Sequence, residues 1–258
     1  QVISPISGGW GDTREFNVTM NDSNNSAMVY LWKSETGTGG WTYVANQSYN
    51  NSGTATVLNF SYQFACTDLG ENGIDKFWYF KFNASNEVGN TYTTTPGAAD
   101  NFTLTKDYIS FENIFGNNSV ANRTGAQFDR LGLRIRDNNG SVANGLNITF
   151  KVTKDGASDW DTGAINDTNV TGDVQYSFNA ECSPRYEVGV QSWQGIVSGE
   201  ACYKDNSTVV QQLTIQGDIN LSLNKPDGSQ NFTQEGLVSF LGSSIDDCGS
   251  ALTLNTTS

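Results

Sequence analysis

The residues with the clearest chemical potential are asparagines followed two places later by serine or threonine. This spacing occurs at Asn17, Asn21, Asn24, Asn46, Asn50, Asn59, Asn83, Asn101, Asn117, Asn122, Asn139, Asn147, Asn166, Asn169, Asn206, Asn220, Asn231 and Asn255, eighteen positions in all. With 29 Asn and 51 Ser plus Thr among 258 residues, chance placement gives about six such triplets. The excess points to a chain exported through a glycosylating pathway and carrying N-linked glycans, which occupy solvent-facing positions. The competing source of the same residues is their abundance in β-turns and on exposed strand faces.

The four cysteines are Cys66, Cys182, Cys202 and Cys248. None lies in CxxC spacing, so a zinc site has little support. Cys182 and Cys202 flank a strand-like segment, and their pairing in an exported chain would close a loop of about twenty residues and stabilise by about 3 kcal/mol. Cys66 and Cys248 have no evident partner, and Cys248 reads as a residue that pairs with sequence beyond this chain.

Histidine is absent, which excludes Ser-His-Asp and Cys-His catalysis and imidazole metal ligation. Aspartate and glutamate number 27 against 14 lysine plus arginine, a net charge of -13, so the chain lacks the cationic footprint of a nucleic-acid or anionic-membrane binder. Acidic residues come close together at Asp159 and Asp161, at Asp246 and Asp247, and in the turn Asp137-Asn138-Asn139-Gly140. Loop carboxylates of this kind could take Ca²⁺, but none reproduces the twelve-residue EF-hand loop, and a solvated turn is the favoured explanation. Trp10, within Gly8-Gly9-Trp10-Gly11, and Trp160, within Ser158-Asp159-Trp160-Asp161, lie in loop-like sequence and are the candidate platforms for a glycan. Trp32, Trp78 and Trp193 lie in strand-like runs and read as buried anchors.

The elements that must position these groups are strands. Apolar alternation recurs every ten residues or so between Gly, Asn, Asp and Ser clusters, and no stretch sustains the helical period. Phe16–Met20, Met28–Trp32, Trp41–Val44, Ala55–Phe64, Lys76–Ala84, Thr91–Thr95 and Asn101–Thr105 make a first set. Leu131–Arg136, Leu146–Val152, Val174–Phe178, Tyr186–Trp193 and Val209–Ile215 make a second. After Gly217, Ile219–Leu223 and Leu237–Leu241 open a third, with a turn at Lys225-Pro226-Asp227-Gly228-Ser229 that echoes Ser4-Pro5-Ile6-Ser7-Gly8. The organisation is therefore all-β, with sandwiches at 1–105 and 106–216 and a partial module at 217–258. Such a half-module leaves strand faces and edges uncovered, so either the parent chain continues or another subunit completes it. No run of about 18 apolar residues spans a bilayer, and Gln1–Pro5 reads as the start of a mature or excised segment rather than a signal peptide.

Two stretches carry a family resemblance. Tyr79-Phe80-Lys81-Phe82-Asn83-Ala84-Ser85-Asn86-Glu87-Val88-Gly89-Asn90 resembles the ending of bacterial and archaeal immunoglobulin-like surface repeats, with Asn86 in place of the usual acidic residue. Leu133 to Phe150, with its Asp137-Asn138-Asn139-Gly140 and Ala143-Asn144-Gly145 turns, and Asn169 to Val174 downstream, are similar to the invasin or intimin type of repeat. The resemblance implies tandem immunoglobulin-like β-sandwiches. With the dense sequons it implies a non-enzymatic archaeal cell-surface glycoprotein, a stalk, filament or S-layer segment that assembles with identical subunits or continues in a longer chain. A carbohydrate-binding or adhesin module is the alternative.

Overall fold

The computed structural model describes residues 2–4, 6–22, 26–50, 53–94, 101–124, 128–229 and 231–252. Among the described residues the regular structure is nearly all strand, with two short 3₁₀ turns at Cys66–Asp68 and Glu71–Gly73. Contacts divide the chain into two compact units. The first comprises Gln1–Ser110, Arg136–Ala143 and Ser198–Asn206, and the second Phe111–Ile135, Asn144–Val197 and Ser207–Ser258. The units are interleaved in sequence, which no single cut near residue 105 expresses, and residues 217–252 group with the second unit.

The first nine strands are β1 (Val2–Ser4), β2 (Ser7–Gly9), β3 (Thr13–Met20), β4 (Ala27–Ser34), β5 (Thr42–Tyr49), β6 (Thr56–Gln63), β7 (Lys76–Asn86), β8 (Thr91–Thr93) and β9 (Asn101–Thr105). One sheet runs β1-β3-β6 and the other β2-β9-β7-β4-β5, with β8 beside β7. The next nine are β10 (Ile109–Phe115), β11 (Ser119–Asn122), β12 (Asp129–Asp137), β13 (Asn147–Thr153), β14 (Trp160–Asp167), β15 (Asp173–Phe178), β16 (Gly189–Val197), β17 (Asn206–Ser207) and β18 (Gln211–Gln216). They repeat that order strand for strand, as β10-β12-β15 and β11-β18-β16-β13-β14 with β17 beside β16. Even the parallel pairs match, β2 with β9 and β11 with β18. Each set is an immunoglobulin-like sandwich.

Alternation decides which side chains go inward. Along β4, Ala27, Val29 and Leu31 are buried while Met28, Tyr30 and Trp32 are half-exposed, and β7 buries Trp78, Phe80, Phe82 and Ala84. Phe16 of the small sheet meets Phe80 of the large one at 4.2 Å, and Phe60 meets Phe82 at 5.4 Å. In the second unit Leu131, Leu133, Val174 and Phe178 are buried on the small sheet, and Ile148, Phe150, Trp193 and Leu213 on the large one. Each such Phe or Leu stabilises its unit by about 1.5–3 kcal/mol. Trp193 satisfies its indole by donating to the Gly116 carbonyl at 2.9 Å.

Three expectations change. Trp32 is not a core anchor: with Leu31 facing inward, period-two geometry turns its neighbour to the outer face. Tyr186 is buried but precedes its strand, which starts at Gly189. Leu237–Phe240 is not strand: β20 (Leu241–Asp246) follows it and pairs with β19 (Ile219–Lys225), setting Leu221 opposite Ser244. The pairing is fixed at its far end, where Asp246 accepts the backbone N–H groups of Cys248 (3.0 Å) and Ser250 (2.7 Å) in the following turn.

Candidate functional site

Among the described sequons, Asn21, Asn46, Asn50, Asn59, Asn117, Asn122, Asn139, Asn147, Asn169, Asn206, Asn220 and Asn231 are exposed. Asn17, Asn83, Asn101 and Asn166 are half-buried, and no described sequon asparagine is buried. Asn24 and Asn255 lie outside the described residues. Strand alternation accounts for this placement, since Asn59, Asn83 and Asn147 occupy outward positions between inward apolar neighbours.

The expected Cys182–Cys202 bridge does not form. Cys66 pairs with Cys202 and Cys182 with Cys248, with Cα atoms 5.3 and 5.5 Å apart. Between Cys182 and Cys202 runs β16, nine residues of extended chain, which span about 30 Å, whereas a disulfide needs Cα atoms within about 7 Å.

Trp10 is not an open platform. In the first unit its indole donates to the Cys202 carbonyl at 2.6 Å, its ring meets Tyr203 at 5.6 Å, and it packs on the core. Asp107 lies beneath the same loop, fully buried, with Oδ1 accepting the Tyr108 N–H at 2.8 Å and Oδ2 without a hydrogen-bond partner. A Cβ on Gly11 would stand 2.3 Å from that oxygen, so any larger residue there would displace the Asp107 carboxylate. Burial, reinforced by the charges of Asp12 and Asp137, holds the Asp107 carboxyl above its usual range. Burial and the neighbouring Asp137 and Asp107 push the Tyr203 hydroxyl up to about 12. Trp160, the other candidate, is half-buried where it opens β14 opposite Thr153.

Sequence reasoning missed Arg123, the most connected cation of the second unit. It is buried, and donates from Nε to Asp247 at 3.0 Å, from Nη1 to the Tyr186 carbonyl at 2.9 Å and from Nη2 to Asp246 at 3.2 Å. Arg185 adds a second bond to Asp246 at 3.0 Å. Bonds from the Ser250 backbone and the charges of Arg185 and Arg123 hold Asp246 below the usual carboxylate range, and Arg123 does the same for Asp247. Together with Cys182–Cys248, these contacts tie residues 246–250 to their unit. The signal available beforehand was the unpartnered Cys248 beside two aspartates.

The acidic clusters are committed to protein partners. Asp246, Asp247 and Cys248 bring three metal-type ligand atoms within 4.8 Å of one another, but the thiol is bridged and both carboxylates are held by arginine. Asp161 accepts the Tyr186 hydroxyl at 2.7 Å, Asp159 pairs with Lys154 at 3.2 Å, and Asp137 accepts the backbone N–H groups of Asn139 (3.0 Å) and Ser141 (2.7 Å). The second unit also leaves apolar side chains uncovered: Ile219, Leu221 and Leu223 on β19 are 63%, 79% and 64% exposed. No helix among the described residues is long and apolar enough to cross a membrane, and the two disulfides accord with an oxidising compartment such as the cell exterior.

No family profile and no curated protein matches the sequence. Among solved structures, the chain is similar to invasin, a bacterial integrin-binding protein, at 14% identity and a TM-score of 0.43, over 98% of this chain and 47% of that one. It thus spans about half of invasin's length. The calcium-binding domain CBD12 of CALX1.1 aligns at 11% identity and a TM-score of 0.32, over 83% of this chain and 99% of that one. Dimeric latent PorU from Porphyromonas gingivalis aligns at 10% identity and a TM-score of 0.29, over 82% and 19%. What identifies the fold is the duplicated strand order described above.

Proposed function

We propose that this chain is a segment of a non-enzymatic, glycosylated extracellular protein that builds a cell-surface stalk, filament or lattice of the archaeal S-layer kind. The observation that carries the reading is the conjunction of repeated sandwich order with sequons that avoid the core. Hydrogen-bonded sheets supply mechanical stiffness, disulfides clamp each unit, and glycans shield outward faces from edge-to-edge association. The shifted carboxylates and tyrosines support the same reading, because each sits in a bond or packing role.

Hairpin β19–β20 is, in this proposal, the start of a third sandwich. Its two consecutive strands pair antiparallel, Ile219 opposite Asp246. Two strands alone are marginal in water, so continuation of the chain or strands of a neighbouring copy complete it by β-strand addition.

Glycopeptide mass spectrometry of the chain secreted from a glycosylating host, combined with electron microscopy of the parent protein, tests this. Occupied exposed sequons and elongated or lattice particles are expected. Unmodified sequons in such a host, or compact monomers with hydrolytic activity, would sink the proposal.

A further inference from the structure

We infer that the outward face of the large sheet in the first unit binds a neutral saccharide from outside the chain, with Tyr30, Trp32 and Tyr43 as its platform. The inference rests on the proposed display of the chain at the cell surface and names a partner for it. Because Val29 and Leu31 are buried, Tyr30 and Trp32 stand on the opposite side of β4, where large rings gain nothing from the core. Register then sets Trp32 beside Tyr43 on β5 and beside Lys81 on β7, and Tyr30 beside Asn46 and Asn83. The rings meet edge to face, Trp32 with Tyr43 at 5.7 Å and Tyr30 with Tyr43 at 6.4 Å. Tyr43 is 47% exposed. Beside them a shallow cleft of about 220 Å³ is lined by Tyr30, Trp32, Asn83, Thr91 and Thr93.

The surrounding chemistry selects the ligand. A pyranose presents apolar C–H faces that stack on rings and hydroxyls that bond to amides and side-chain hydroxyls, the combination offered here. In a chain with 27 acidic residues, β4, β5, β7 and β8 contain none. Their outward cation, Lys81, is held 4.4 Å over the Trp41 ring. A face without carboxylates and with one engaged cation suits neither nucleic acid nor an anionic membrane. The net charge of -13 disfavours acidic sugars. Asn46, whose Nδ2 lies 2.8 Å from the Tyr43 hydroxyl, and Asn83 in the cleft are themselves sequons, so the platform is open on chains that leave both unglycosylated and a glycan on either covers it.

The test uses the whole chain, exported to an oxidising compartment of a host without N-glycosylation. Binding is read by tryptophan fluorescence with cellotriose, mannotriose and chitotriose, and on an array of neutral glycans. At least one neutral saccharide is expected to bind, with Trp32→Ala and Tyr43→Ala each weakening it about tenfold or more. Half-exposed Tyr43 keeps the test alive should Trp32→Ala fail to fold, as judged by circular dichroism. Loss of binding when Asn46 carries a glycan supports the site. A folded chain that binds nothing on the array, or binding that survives both variants, overturns it. Filaments without saccharide binding sink this inference alone, and binding without filaments sinks only the structural reading.

Discussion

Single side chains in this protein act as fasteners, and their ionisation makes that measurable. Arg123 is buried with two carboxylates and a carbonyl, so Arg123→Met strands buried acids and is expected to destabilise the second unit by about 3 kcal/mol or more. Chemical denaturation of the variant checks this, and a change below about 1 kcal/mol would contradict the buried network. Asp246 and Asp247 are depressed in the folded state. Their contribution is therefore present above the ordinary carboxylate value of about 4 and lost as pH falls through their folded values. Melting curves should drop on acidification, less steeply in Arg123→Met. Asp107 has the opposite sign: its raised value means that its contribution is present below about 4 and lost as pH rises through the folded value. Asp107→Asn should accordingly gain stability relative to the parent at pH 7 compared with pH 4, and equal shifts at both would refute the assignment.

At the scale of elements, the disulfides show how strand geometry overrules sequence spacing. They bridge separations of 136 and 66 residues, for which chain entropy gives stabilisation of up to about 5 and about 4 kcal/mol. Non-reducing peptide mapping should recover Cys66–Cys202 and Cys182–Cys248 linkages, and a Cys182–Cys202 peptide would contradict the placement of β16. Replacing Cys66 and Cys202 together by serine should lower the melting temperature more than replacing exposed Ser158. Hairpin β19–β20 is held at one end by Asp246 and its arginines, while its middle lies open. Its amides from Leu221 to Leu223 are expected to exchange with deuterium faster than those of β13 and β16.

For the whole molecule, deleting residues 217–258 tests how far the second unit depends on its tail. The deletion removes Asp246, Asp247 and Cys248, leaving Arg123 without its two carboxylates and Cys182 without its bridge, and is expected to lower the thermal stability of the second unit while sparing the first. If that segment also supplies an assembly contact, light scattering should show the full chain associating with concentration and the truncated chain remaining monomeric. Monomers in both cases would remove self-assembly through the hairpin and leave chain continuation as the surviving proposal.

Local pattern alone was enough for the all-β class and its immunoglobulin-like sandwiches. Period-two alternation is written in adjacent residues and needs no partner to be legible. Pairing across long separations was not legible. The Cys66–Cys202 and Cys182–Cys248 bridges, the grip of Arg123 on Asp246 and Asp247, the anchoring of Trp10 and the meeting of Tyr30, Trp32 and Tyr43 all depend on which strands lie side by side. Trp32 shows the boundary most plainly: its strand could be read from its neighbours, but its face was fixed only when β4 settled between β5 and β7 with Leu31 turned into the core.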